Sequence, residues 1–232
     1  LTSGDDNVAV GHNALGANTT GSDNTSIGFD TMKANTTGAD NVAVGVGALI
    51  ANTTASQNTA IGRAALYTNT TGADNVAVGR YALLANTTGN SNVAIGSGAL
   101  DANTTAGQNT GVGAAALGAN IDGALNVAVG ANALLANTTA DQNTSVGALS
   151  MDANTTGANN TAVGTSALGA NTTASNNVAI GTNALILNTT GAENVAVGFA
   201  ALDANTTASY NTGIGHDALG SNTTGASNTA VG

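Results

Sequence analysis

Residues able to carry out chemistry are few in this sequence, and they do not form a recurring constellation. The two histidines, His12 and His216, are far apart and share no repeated pattern with serine and carboxylate residues. A nucleophilic triad needs all three groups in contact, and thiol chemistry needs cysteine, which is absent. The sequence therefore predicts a protein that is not an enzyme and that requires no cofactor.

One acidic pattern could bind a metal ion. Asp6, Asp23 and Asp40 follow one another at intervals of 17 residues. If these residues stack on neighbouring coils about 4.8 Å apart, their like charges repel. A bound Ca²⁺, which prefers oxygen ligands, would relieve the repulsion. A calcium-binding stripe is one hypothesis, and a solvated acidic stripe is the simpler one.

The spacing of these aspartates belongs to a repeat that covers the chain. The unit reads N-[VT]-[AGS]-[VI]-G-x-x-A-L-x-A-N-T-T-[GA]-x-x, with no insertion or deletion, and 13 full copies run from Asn7 to Ser227. Such strictness is typical of a solenoid, in which each coil must close on the same rise. We predict that residues 1–232 form a single repeat array, with partial coils at both ends, taken from a longer protein or filament. Coil positions 1 to 17 are counted from the repeated asparagine.

The residue pattern predicts an all-β fold, a parallel β-solenoid (β-roll) of 17-residue coils with two short strands per coil. Alternation in the first strand places position 4 on one face, and position 9 carries the bulkiest regular side chain. We expect these two positions to face each other in the core, at Val10, Ile27, Val44, Leu15, Leu49 and Leu66. A single helical turn at positions 8 to 11 is the alternative, since the segment is too short for a stable helix.

Three further positions have predicted structural roles. Glycine at position 5 indicates positive φ or a tight bend, as at Gly11, Gly28 and Gly45. Asparagine at position 12 indicates a turn and a stacked amide ladder, as at Asn18, Asn35 and Asn52. The small residues at position 3 would let another surface approach closely, which predicts a subunit interface at Ala9, Ala43 and Ala60.

The composition of the chain argues against several classes of binding partner. The net charge of −10, with only Lys33, Arg63 and Arg80 as cations, argues against nucleic acid, which requires a basic surface. No apolar run approaches the roughly 18 residues of a membrane span, so no membrane insertion is predicted. Aromatic residues make up 2%, which is too few to predict a sugar-binding surface. Asn-Thr-Thr is a glycosylation sequon, and the sequence leaves its modification open.

The segment N-V-A-V-G-x-x-A-L, as at Asn7 to Leu15 and Asn41 to Leu49, resembles the head repeats of trimeric autotransporter adhesins. With the A-N-T-T-G segment that follows, it is still more similar to the repeats of phage and phage-like tail fibres. The resemblance covers the whole chain. It implies a left-handed β-roll that forms a homotrimer, carries adhesive surfaces and is extracellular.

We therefore expect a structural or adhesive fibrous rod, displayed on a cell or virion surface. It would act by spacing and multivalent contact, with itself and with a host or cell-surface receptor. The alternative is a subunit of an extracellular filament that stacks end to end. A minor alternative is an ice-binding solenoid, because Thr19, Thr20 and their copies form stacked hydroxyl columns.

Overall fold

The computed structural model describes residues 4–232, which form strands and turns without any helix. Each strand occupies coil positions 2 to 4 and begins 17 residues after the strand before it. The fourteen strands are β1 (Val8–Val10), β2 (Thr25–Ile27), β3 (Val42–Val44), β4 (Thr59–Ile61), β5 (Val76–Val78), β6 (Val93–Ile95), β7 (Thr110–Val112), β8 (Val127–Val129), β9 (Thr144–Val146), β10 (Thr161–Val163), β11 (Val178–Ile180), β12 (Val195–Val197), β13 (Thr212–Ile214) and β14 (Thr229–Val231). The predicted all-β solenoid is confirmed. In this part of the chain, no helix exists that could cross a membrane.

The chain divides into two compact units, of which the first ends at Ala115 and the second begins at Ala116. In the first unit, β1 to β7 pair in chain order, and every pair is parallel. In the second unit, β8 to β14 pair in the same way. The register joins equivalent residues, as where Ala43 pairs with Ala60. The strict period of the sequence follows, because one added residue would shift a coil out of register with its neighbours.

The predicted second strand is a turn, so the described residues contain one strand per coil. Position 9 has left-handed backbone, with φ of 50° at Leu66, and so does position 7, with φ of 55° at Ala64. This turn still binds both neighbouring coils. The Leu66 N–H donates to the Ala82 carbonyl oxygen at 3.0 Å, and the Ala64 N–H donates to that of Val46 at 3.0 Å. Hydrogen bonds on both sides offset the roughly 1–2 kcal/mol that left-handed backbone costs a non-glycine residue.

The strands present position 4 to the outside, so the predicted orientation of this position is wrong. Val10 is 57% exposed and Ile27 is 39% exposed, while Val44 is half-buried. The leucines lie inside, as Leu15 is 4% exposed and Leu49 is fully buried. The same holds for Leu66. Each coil is thus too thin to hold a β-branched side chain opposite its leucine.

Position 3 points into the coil in place of position 4. Ala43 and Ala60 are fully buried, so the predicted subunit interface at these two residues is wrong, and only Ala9, in β1, is exposed. A Cβ atom built on Gly213 would lie 3.2 Å from Leu202 Cγ. Position 3 therefore packs against the leucine column and has room for little more than a methyl group.

A coupled substitution shows the same packing. Two coils carry serine at position 3, and in both a hydroxyl residue replaces Ala at position 8 and Met replaces Leu at position 9: Ser26 with Thr31 and Met32, and Ser145 with Ser150 and Met151. Ser26 Oγ donates to the Thr31 carbonyl oxygen at 3.0 Å, and Ser145 Oγ donates to that of Ser150 at 2.8 Å. Positions 3, 8 and 9 therefore form one packed cluster inside each coil, where a buried hydroxyl needs an acceptor.

Candidate functional site

Two ladders of buried asparagine hold successive coils together. In the first ladder, at position 1, the Asn41 backbone N–H and its side-chain Nδ2 both donate to Asn24 Oδ1 at 3.1 Å. In the second ladder, at position 12, Asn52 Nδ2 donates to Asn35 Oδ1 at 2.8 Å. The predicted ladder at Asn18, Asn35 and Asn52 is present, since Asn35 Nδ2 donates to Asn18 Oδ1 at 3.1 Å.

A shared carbonyl group links the two ladders. The Ala55 carbonyl oxygen, at position 15, accepts a hydrogen bond from Asn41 Nδ2 at 3.0 Å and another from Asn52 Nδ2 at 2.9 Å. The same arrangement recurs at Gly72, which accepts from Asn58 and Asn69 at 2.9 Å. The side-chain amides of these four asparagines therefore each donate to at least two acceptors in a buried position, where an unpaired amide would be costly.

The burial of position 12 bears on whether the asparagine of the Asn-Thr-Thr sequons can be glycosylated. Asn86 is fully buried, and its Nδ2 donates to Asn69 Oδ1 at 2.9 Å and to the Gly89 carbonyl oxygen at 3.0 Å. Glycosylation attaches a bulky sugar to this nitrogen and requires it to be accessible. Where position 12 is buried in this way, the Asn-Thr-Thr segment is therefore a structural turn whose amide is not accessible to modification, whereas Asn222 is only half-buried.

Glycine at position 5 has the positive φ that the sequence predicts. The values are 131° at Gly11, 140° at Gly28 and 127° at Gly45. A Cβ atom on Gly45 would lie 2.7 Å from the backbone of Gly62 in the next coil. Both the backbone conformation and the close approach of coils therefore require glycine.

An apolar surface common to both units is the strand face, which we define as the outward side chains of coil positions 2 and 4. It is apolar at position 4 in both units: Ile61 and Ile95 in the first and Ile180 and Ile214 in the second are each 40% exposed. Position 2 carries Val or Thr. Sequence reasoning missed this face because it placed position 4 inside. The Ser26 and Ser145 substitutions, coupled to positions 8 and 9, are the signal that could have revealed it.

The acidic stripe at position 17 lies on the surface. Asp6, Asp23 and Asp40 are exposed and have left-handed backbone, with φ of 52°, 57° and 57°. Among residues 4–232, no group of three or more histidine, cysteine, aspartate or glutamate side chains is placed to hold a metal ion. The three aspartates are thus exposed to solvent, and calcium binding at this stripe stays a hypothesis.

The histidines also lie on the surface, in equivalent positions of different units. The His12 ring stacks on Phe29 with centroids 5.2 Å apart, and the His216 ring stacks on Phe199 at the same distance. His216 Nδ1 lies 3.0 Å from Asp217 Oδ2. These contacts give the histidines packing partners on the surface.

Two carboxyl groups at position 10 are perturbed by their surroundings. Burial raises the pKa of Asp101 and Asp152 above the ordinary value of 3.8, and backbone hydrogen bonds oppose that rise only in part. A raised pKa means that the folded state binds protons more readily than the unfolded state. The resulting stabilisation is fully present below pH 3.8 and is lost as the pH rises through the folded-state pKa.

The raised pKa of these two carboxyl groups leads to a prediction about stability and pH. The double variant Asp101→Asn, Asp152→Asn removes both titrations. Relative to that variant, the original protein is expected to gain stability as the pH falls from about 7 to about 3. Urea unfolding at both pH values, followed by circular dichroism, gives the difference. A constant difference, or one that changes in the opposite direction, would contradict the prediction.

Comparison with known proteins finds no match: no protein-family model, no curated protein and no solved structure is significantly similar to this chain.

Proposed function

We propose that this chain is a structural and adhesive segment of an extracellular fibre, displayed on a cell or virion surface, whose strand face binds other copies of the chain. The observation that carries the proposal is the outward position 4 column, which is apolar and either exposed or half-buried on consecutive strands in both units. Soluble monomers seldom leave a contiguous apolar surface of this kind uncovered, and such surfaces mark interaction sites. The fibre acts by spacing and multivalent contact, including contact with a receptor, and not by catalysis.

The composition of the coil interior supports the same proposal. A coil buries one leucine or methionine together with alanines and asparagines, and burying an apolar side chain contributes only about 1.5–3 kcal/mol. A second copy on the strand face would bury the valines and isoleucines that the coil itself leaves outside. We propose a homotrimer, the state that the resemblance to adhesin head repeats implies, and we place its contacts on this face because the apolar column lies beside the stacked coils and not at an end of either unit. End-to-end stacking into a filament is the alternative.

Lysine substitutions test the interface. The double variant Ile95→Lys, Ile180→Lys places one charge on the strand face of each unit, and we expect it to be a monomer because buried unpaired charges oppose association. Analytical ultracentrifugation should give three times the 22.0 kDa chain mass for the original protein and the chain mass for the variant.

The matched control is Thr71→Lys, Thr190→Lys, which adds the same charges at exposed threonines of position 14. It should keep the original mass. A monomeric original protein across the concentration range would refute self-association. Long threads in electron micrographs, in place of discrete particles, would favour the end-to-end filament.

A second candidate function is ice binding, which the strand face also supports. Position 2 presents Thr25 and Thr59 in alternation with Val42 and Val76, beside the β-branched residues of position 4. This gives a regular array with a strand spacing of about 4.8 Å. The position 13 hydroxyls favour it less, since Thr70 Oγ1 already donates to the Thr87 carbonyl oxygen at 3.0 Å. Thermal hysteresis of the purified protein decides this candidate.

A further inference from the structure

One part of the first unit departs from the uniform surface of the repeat. Four consecutive coils form a cleft of about 370 Å³, and its walls include Phe29, Asp30, Arg63, Tyr67 and Tyr81. That volume lies within the range of small-molecule binding sites. Positions 6, 7 and 10 of the coil supply these side chains, so the cleft is separate from the strand face.

The cleft concentrates residue types that are rare in the chain. Three of the five phenylalanine and tyrosine residues line it, and the cations of the whole chain are Lys33, Arg63 and Arg80. Arg63 lines the cleft, Arg80 lies against Tyr81, and Lys33 pairs with Asp30 at 3.5 Å. In the second unit, four consecutive coils carry small residues at position 6, namely Ala131, Ala148, Thr165 and Thr182. The repeat therefore folds without aromatic or cationic side chains at position 6. A role in folding does not explain why such side chains gather in one cleft, and ligand binding would.

The two arginines are held in place without a carboxylate. Arg63 Cζ lies 5.9 Å and Arg80 Cζ 5.0 Å from the centre of the Tyr81 ring. Within residues 4–232, neither guanidinium has an acidic group within ion-pair distance. Contact with an aromatic face orients a guanidinium and leaves its N–H groups available. The Arg63 side chain can therefore bind a planar carboxylate through two parallel hydrogen bonds.

The aromatic and acidic groups have complementary roles. Phe29 is 51% and Tyr67 is 41% exposed, so both rings present a face or an edge to a ligand. Gly47 has no side chain, and a Cβ atom there would lie 3.2 Å from Tyr67 Cε2, so the glycine makes room for this ring. Asp30 Oδ1 accepts a hydrogen bond from Asn13 Nδ2 at 2.9 Å, and its carboxylate has further capacity to accept from hydroxyl groups.

From this arrangement we propose that the cleft binds a saccharide that carries a carboxylate group. The C–H face of the sugar ring lies on Tyr67 and Phe29, its hydroxyls donate to Asp30, and its carboxylate binds Arg63. The site goes beyond the fibre function, since it involves neither the strand face nor association between copies.

Two acidic probes and their neutral partners test the site with the full chain. The probes are 3′-sialyllactose with lactose as its partner, and trigalacturonic acid with its methyl ester as its partner. Titration followed by NMR should show saturable binding of at least one acidic probe, with a Kd of about 1 mM or lower. We expect the neutral partner to bind at least about tenfold more weakly, as does the acidic probe to Arg63→Ala, because each lacks a charge-assisted hydrogen bond.

Matched variants separate the cleft from general effects. Phe29→Ala should weaken binding several-fold, whereas Phe199→Ala should not, although both phenylalanines are 51% exposed and stacked on a histidine. The monomeric strand-face variant should bind the probe as the original protein does, so this site and the proposed interface can fail separately. Absence of saturable binding of both acidic probes, equal binding of the neutral partners, or equal effects of the two phenylalanine variants would each overturn the proposal.

Discussion

Replacing Gly79 by alanine is expected to destabilise the protein by at least about 3 kcal/mol, through backbone strain and steric overlap. Gly79 has φ of 136°, where side chains other than hydrogen are strained. A Cβ atom there would lie 2.5 Å from the Gly96 carbonyl oxygen and 2.7 Å from its carbonyl carbon. The next coil cannot move away without loss of the hydrogen bond from the Gly96 N–H to the Val78 carbonyl oxygen, at 2.8 Å. Urea unfolding followed by circular dichroism measures the loss.

Gly16→Ala is the control for this substitution. A Cβ atom on Gly16 would have its nearest neighbour at 3.4 Å, and other coils carry Ile50 and Tyr67 at the same position. Its effect should stay within about 1 kcal/mol. Equal destabilisation by both variants would show that the close approach of coils at position 5 is not what requires glycine.

The second large effect is expected for Asn75→Ala, which should destabilise the protein by about 3–5 kcal/mol. Asn75 Oδ1 accepts from the Asn92 backbone N–H at 2.9 Å and from Asn92 Nδ2 at 3.2 Å. Asn75 Nδ2 donates to Asn58 Oδ1 at 3.2 Å and to the Gly89 carbonyl oxygen at 2.8 Å. Alanine would leave buried groups of three neighbouring coils without these bonds, and each such group costs about 1–3 kcal/mol.

An exposed asparagine of the same coil region serves as the comparison. Asn90 is exposed, and its Oδ1 accepts a single hydrogen bond, from the Ala73 N–H at 2.7 Å. Asn90→Ala should cost about 1 kcal/mol or less. If Asn75→Ala were equally mild, the buried ladders would not be a principal source of cohesion between coils.

The periodicity of the sequence was sufficient to predict the solenoid, because a parallel stack of identical coils imposes the same register on every residue. The glycine and asparagine positions were predictable for a related reason. Only glycine suits the backbone of Gly11 and Gly28, with φ of 131° and 140°. An amide side chain can both donate and accept along a stack, as Asn35 does.

The inside and outside of the strand were assigned wrongly, and the reason is physical. Alternation identifies two faces but does not say which one is buried, and the usual preference for burying β-branched residues selected Val10 and Ile27. In this fold Leu66 fills the thin interior, so Ala60 faces it and Ile61 turns outward. The coupled changes at Ser26 and Ser145 indicate that position 3 faces the interior, because residues that change together are in contact.

The left-handed turn lies beyond what residue preferences can predict. Leucine ordinarily avoids positive φ, yet Leu49, Leu83 and Leu100 adopt 52°, 51° and 52°. Contacts with neighbouring coils decide this conformation, through burial of the side chain and hydrogen bonding of the backbone. The cleft was missed for a similar cause, since Phe29, Tyr67 and Tyr81 are separated in sequence and meet only when coils stack.

The asparagine ladders also have a direction. In both units the side-chain amide of the later coil donates to the oxygen of the earlier one, as Asn52 does to Asn35 and Asn171 does to Asn154. The position 12 run stops at Asn205, whose buried oxygen has no donor, because Asn222 Nδ2 donates to the Gly225 carbonyl oxygen at 2.8 Å. Within each run the side-chain amides therefore all point the same way along the stack. Copies that extended these runs from one chain to the next would have to stack head to tail, so a filament formed in this way would be polar and its two tips would grow at different rates.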